Sequence, residues 1–135
     1  PPSDRCVTTF MLVLDAGAFV ALERNDRAMW RRLKGGLIDG EPPITHGGVV
    51  GQVWRGGTGR QVLLARALQA VDGIALTVEL GRQAGLLLTA SGTSDVVDAA
   101  VVVLANHEDI IITSDPGDIA RLVETSGRRI DVVPT

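Results

Sequence analysis

The chain has 135 residues, enough for one domain with a sizeable buried core. A net charge of −3 at pH 7 excludes the global basic field that drives non-specific nucleic-acid binding. Apolar runs such as Ala99 to Ala105 are far too short to cross a bilayer, so no membrane association is expected. With 45% hydrophobic residues but only two Phe, two Trp and no Tyr, the core must be aliphatic.

The single cysteine, Cys6, permits no internal disulfide and fits a reducing compartment, so a cytoplasmic location is expected. No charged-then-apolar signal segment opens the sequence, which starts Pro1-Pro2 without Met. Residues 1–6 are expected to be an extension outside a single domain at 7–135.

In chain order, Phe10–Leu14 reads as a first strand, a continuous apolar run suited to burial on both faces. A helix from Ala16 to Glu23 follows. Asn25-Asp26 breaks it and caps a second helix through Arg32, which Gly35-Gly36 is expected to stop. A weak strand near Ile44 leads into a helix from about Gly48 to Trp54, ended by Gly56-Gly57. The next helix, Arg60 to Ala70, carries Val62, Leu63, Ala67, Leu68 and Val71 as its apolar stripe. A second weak strand, Ile74–Leu76, precedes a helix from Val78 to Thr89. Ser94 is placed to N-cap a helix from Asp95 to Asn106. A strand at Ile110–Thr113, a helix from Pro116 to Thr125 and a strand at Ile130–Val133 complete the chain. This alternation implies βαβ units and an α/β fold with a mainly parallel sheet of four or five strands.

Acids stand where the buried strands run out. Asp15 closes the first strand, Asp115 follows the fourth with Asp118 close behind, and Asp98 opens an apolar helix. Each has an ordinary reading, as a turn residue or as a carboxylate favoured by a helix N-terminus. Together they are more telling, because right-handed crossovers bring Asp15, Asp98 and Asp115 to one sheet edge, where ligands of open α/β sheets gather. Carboxylates converging there repel one another unless something positive sits between them, and a hydrated divalent cation is the simplest choice. Asp95 shares a helix face with Asp98 and reads as a capping charge. His46 and His107 stand outside any metal-ligand spacing and are expected at the surface. Arg24, Arg27, Arg31, Arg32 and Lys34 form one basic group, and Arg55, Arg60 and Arg66 another. Either a solvated helix face or a rim for a phosphate backbone accounts for them.

The segments Leu14-Asp15-Ala16-Gly17-Ala18, Val97-Asp98-Ala99-Ala100 with Leu104-Ala105, and Thr113-Ser114-Asp115 resemble the PIN domain. The likeness is greatest to the small PIN ribonucleases that serve as VapC toxins of VapBC toxin–antitoxin pairs. The segments are short but ordered, and they span almost the whole chain. The resemblance implies a three-layer α/β/α sandwich and Mg²⁺- or Mn²⁺-dependent RNA cleavage. It also implies a cognate antitoxin partner and a homodimer. By it, Asp15, Asp98 and Asp115 coordinate metal, Thr113 steadies the site and Asp118 supports it. Where the family places a glutamate after the second strand, this chain has Gln52, which keeps a carbonyl oxygen but lacks the charge. Arg24 and Arg55 are candidate RNA contacts, and the segment from Phe19 to Leu37 is a candidate groove for an antitoxin helix.

Two rival chemistries are weaker. Phosphoryl-transfer enzymes that also place an Asp after their first strand need a lysine late in the chain, and the only lysine here is Lys34. A dinucleotide-binding turn is missing too, because Asp15-Ala16-Gly17 does not open a GxGxxG motif. The alternative from another class is an inactive PIN module that binds RNA or antitoxin without cutting, with Gln52 as its cause.

Overall fold

The computed structural model describes residues 10–57 and 59–135; Cys6 and the boundary expected after residue 6 lie outside that range. The elements are β1 (Leu12–Leu14), α1 (Ala16–Glu23), α2 (Arg27–Ile38), β2 (Ile44–His46), α3 (Gly47–Val53), α4 (Val62–Ala70) and β3 (Asp72–Ile74). They continue with α5 (Val78–Ser91), α6 (Val96–Leu104), β4 (Ile110–Thr113), α7 (Pro116–Ser126) and β5 (Asp131–Pro134). All strand pairs are parallel, in the order β3-β2-β1-β4-β5.

That order has a direct consequence. From β1 the chain steps outward to β2 and β3, whereas from β4 it steps the other way to β5. Right-handed crossovers then place α1–α4 on one face and α5–α7 on the other. The packing agrees: α1 packs on α2, α3 and α4, while α5 packs on α6 and α7. The result is a three-layer α/β/α sandwich, with β1 and β4 at the point where strand order reverses. There the crossovers diverge and leave a crevice beyond the carboxyl ends of the strands.

The core is aliphatic. Val13, Leu14, Phe19, Leu22, Leu33, Leu64, Ile111, Ile112 and Ile119 are fully buried. Each such side chain contributes about 1.5–3 kcal/mol relative to exposure. In register, Leu12, Val13 and Leu14 lie beside Ile110, Ile111 and Ile112, so the two strands that carry the acids form the buried centre of the sheet. β1 and β2, by contrast, pair only at Val13 and Ile44. Beyond that point the Thr45 hydroxyl donates to the Leu14 carbonyl at 2.9 Å, replacing a ladder bond where the strands part.

Several expectations need correcting. Gly35-Gly36 does not stop α2, which runs on to Ile38. A Cβ on Gly36 would lie 2.8 Å from the Glu41 carbonyl oxygen, so this glycine permits close passage of the returning chain. The stop comes instead at Asp39-Gly40, where Gly40 has φ +74°. β3 lies at Asp72–Ile74 rather than at Ile74–Leu76, because Asp72 and Gly73 pair with Ile44 and Thr45. β1 begins at Leu12, with Phe10 exposed. The N-cap of α6 is Asp95 and not Ser94, and that helix ends at Leu104. The buried face of α4 is rotated from the expected stripe: Leu64 and Ala67 are buried, whereas Val62 is 47% exposed. A tight helical turn at Gly59–Gln61 precedes α4 and sets this phase. Its buried Gln61 side chain accepts from the Arg55 and Gly57 amides and donates to the Val53 carbonyl and to Glu23.

Candidate metal centre

Three helices start at the carboxyl edge of the sheet, and each brings acids. Asp15 is the N-cap of α1, Asp95 the N-cap of α6 and Asp115 the N-cap residue of α7. Asp98 and Asp118 each stand three residues further on, in the first turn of α6 and α7. One carboxylate oxygen from each of Asp98, Asp115 and Asp118 lies within 4.8 Å of the other two. Trans ligands across Mg²⁺ are about 4.2 Å apart, so this spacing approaches the span of one hard-cation site.

Asp15 lies behind this trio and is buried. Its Oδ1 accepts from the Ala16 amide at 2.8 Å and its Oδ2 from the Thr113 hydroxyl at 2.8 Å. The Thr113 hydroxyl oxygen in turn accepts from the Asp115 amide at 3.0 Å. Thr113 therefore ties Asp15 to Asp115 from the last residue of β4. Gly17 allows α1 to begin this close: a Cβ there would sit 2.4 Å from Ser114 Cβ and 2.6 Å from its backbone nitrogen. Asp95 acts as a cap, its Oδ1 accepting from the Asp98 amide at 3.1 Å.

The electrostatics show that these acids are crowded. Asp98 is pushed up from 3.8 to about 7, first by burial and then by the charges of Asp15, Asp95, Asp115 and Asp118. A helix N-terminus pulls the other way, but it supplies only about 0.3–1 kcal/mol, less than one pKa unit. Repulsion and desolvation win. Asp118 is also raised, first by its hydrogen bond with Asp115 and next by that residue's charge, although Arg121 partly offsets the effect.

The other expected site residues lie elsewhere. Gln52 is exposed on α3, and its side chain makes no hydrogen bond among the described residues. The Arg55 guanidinium donates to the Gly51 and Trp54 carbonyls at 3.0 and 2.7 Å, so it caps its own helix. Arg24 is exposed and lines a groove of about 440 Å³ with Asp26, Ser114 and Thr135.

His46, expected at the surface, is instead fully buried. Its Nδ1 accepts from the Gly48 amide at 3.0 Å, capping α3, which leaves the hydrogen on Nε2 to donate to the Val97 carbonyl at 3.0 Å. It thus fastens the end of β2 to the residue before Asp98. A histidine directly after a strand and before Gly47-Gly48 is the one signal that this was a capping position. Asp109, also not singled out in the sequence, is buried at the opposite sheet edge and accepts from the Met11 and Asn106 amides.

The acid-bearing edge belongs to a fold already seen elsewhere. No protein-family model matches the sequence, and no curated protein does. Among solved structures the chain resembles one in the crystal structure of VapBC2 from Rickettsia felis bound to a DNA fragment from their promoter. The TM-score is 0.67 at 12% identity, covering 91% of this chain and 98% of that one. At that identity the likeness is one of fold, extending over nearly the full length of both chains.

Proposed function

We propose that the chain is a divalent-metal-dependent endoribonuclease acting as the toxin of a toxin–antitoxin pair. The observation that carries this reading is the convergence of Asp15, Asp98, Asp115 and Asp118 at the strand-order switch, read out in the raised Asp98. The fold of the VapBC2 neighbour supports the toxin assignment, and with it an antitoxin partner.

The donor set fits a hard cation, since it consists of oxygen ligands only. Asp98, Asp115 and Asp118 would hold Mg²⁺ or Mn²⁺, with Asp15 behind them. The ion would lower the pKa of a bound water and offset charge growing on a phosphodiester. Thr113 keeps Asp15 and Asp115 in fixed relation, and His46 holds the start of α6. Neither histidine lies within the trio, so proton transfer falls to carboxylates or solvent. A cation held there would favour the charged form of Asp98, so the carboxyl raised to about 7 in the metal-free protein would release its proton as metal binds.

Cleavage of a defined structured RNA with Mg²⁺ or Mn²⁺, comparing wild type, Asp98→Asn and Gln52→Glu, tests the proposal. Metal-dependent cutting by wild type that Asp98→Asn abolishes is expected; cutting that survives Asp98→Asn sinks the site. A neutral, exposed Gln52 favours one second reading, an inactive module that binds without cutting. Activity confined to Gln52→Glu would establish that alternative. Size-exclusion chromatography with light scattering checks the homodimer.

A further inference from the structure

Away from the acids, α2 and α4 enclose a cleft of about 550 Å³. Arg27, Arg31 and Lys34 line it from α2, Arg66 faces them from α4, and Trp30 and Leu63 supply apolar surface. No carboxylate contributes to the lining. Among the described residues, none of these four cations lies within 4.0 Å of an acid; the ion pairs found there join Glu108 to His107 and Arg129. Four of thirteen basic residues therefore gather in one concavity of a chain whose net charge is −3, with no acid paired to them among the described residues.

A solvated helix face would normally carry acidic partners at three- or four-residue spacing, and this one carries none. The volume falls within the ~300–1,000 Å³ of ligand-binding clefts. Trp30 adds a second signal. Its Nε1 donates to the Leu22 carbonyl at 3.1 Å, so the ring is pinned and its only donor is used. What it still offers is a π surface. Cations along a groove with an aromatic platform suit single-stranded nucleic acid. The location is compatible as well. Asn25, at the cleft edge, lies just past the end of α1, and Asp15 caps the start of that helix. Eight residues of helix span about 12 Å, roughly three to four nucleotides at ~3.4 Å each, so a strand of the length such grooves hold covers that distance.

We propose that this cleft binds single-stranded RNA, its phosphates on Arg27, Arg31, Lys34 and Arg66 and a base against Trp30. The inference rests on the RNA-cleaving reading and assigns it a substrate-holding surface separate from the acids. Binding of a ~12-nucleotide oligouridine to metal-free Asp98→Asn protein, measured by anisotropy from ~50 to ~200 mM salt, tests it without cleavage. Four phosphate contacts give a log–log salt slope of about −2.8, a weakening of about fifty-fold over that range. Adding Arg31→Gln and Arg66→Gln leaves two contacts, a slope of about −1.4 and a weakening of about seven-fold, with circular dichroism confirming the fold. In a Trp54→Phe background, oligouridine quenches Trp30 emission and an acidic decapeptide does not.

An unchanged slope in the doubly neutralised protein overturns the inference. Equal quenching by the decapeptide also overturns it and reassigns the cleft to a protein segment. Loss of the salt response together with absence of cutting by wild type under any metal would leave the cleft standing while the nuclease reading falls. Normal cutting by a cleft variant that binds as wild type does would have the reverse meaning.

Discussion

Replacing Asp98 by asparagine should stabilise the metal-free protein at pH 8. The folded protein holds this carboxyl at about 7 against 3.8 for an unconstrained aspartate, so between those values the folded state binds more protons than the unfolded one. Stability contributed by the neutral form is complete below pH 3.8 and is lost as pH rises through about 7. A shift of about three units corresponds to ~4 kcal/mol without screening. Asp98 is only half-buried, and solvent reduces this to an effect of about 1–2 kcal/mol. For a domain of this size that is a rise of roughly 3–6 °C in melting temperature. Scanning calorimetry in EDTA at pH 4 and pH 8 should show the gain of Asp98→Asn growing from near zero to its full value. Excess Mn²⁺ should invert the order at pH 8, because a ligand at ~100 times its Kd stabilises wild type by about 2.7 kcal/mol and the variant by much less. An asparagine variant that melts below wild type in EDTA at pH 8, or a gain equal at both pH values, refutes crowding as the cause.

Three further substitutions probe how the site is held. Thr113→Val keeps the shape but removes the donor to Asp15 and the acceptor for the Asp115 amide, and should cost about 1–3 kcal/mol in urea unfolding. His46→Ala empties a fully buried position and unpairs the Gly48 amide; a loss of about 2–4 kcal/mol is expected, and a loss below ~1 kcal/mol contradicts its capping role. Gly17→Ala forces a Cβ into Ser114 and should cost about 1–3 kcal/mol. Ser114→Gly should recover only part of that cost, because the clash with the residue 114 backbone nitrogen remains.

Much of the candidate site was legible locally. Asp15, Asp98 and Asp115 are marked by apolar runs that end or begin at them, and strand-end position is a short-range property. Thr113 entered through the resemblance, as the polar position implied to steady the site. His46 was not legible, because its partner Val97 is 51 residues away and nothing near it in sequence reveals that contact. For Arg55 the sequence offered a solvated helix face or a phosphate contact, and only the structure shows its guanidinium donating to the Gly51 and Trp54 carbonyls.

The sequence by itself determined the fold class, the parallel sheet and the acids that belong to its edge, because burial on two faces forces continuous apolar runs and strand ends follow from them. Only the tertiary structure decided how those acids stand to one another. It grouped Asp98, Asp115 and Asp118, set Asp15 behind them on Thr113, and drew Arg27, Arg31, Lys34 and Arg66 into one cleft. The reason is physical: repulsion, desolvation and hydrogen bonding depend on distances across chain segments 17 to 98 residues apart, which no local pattern encodes.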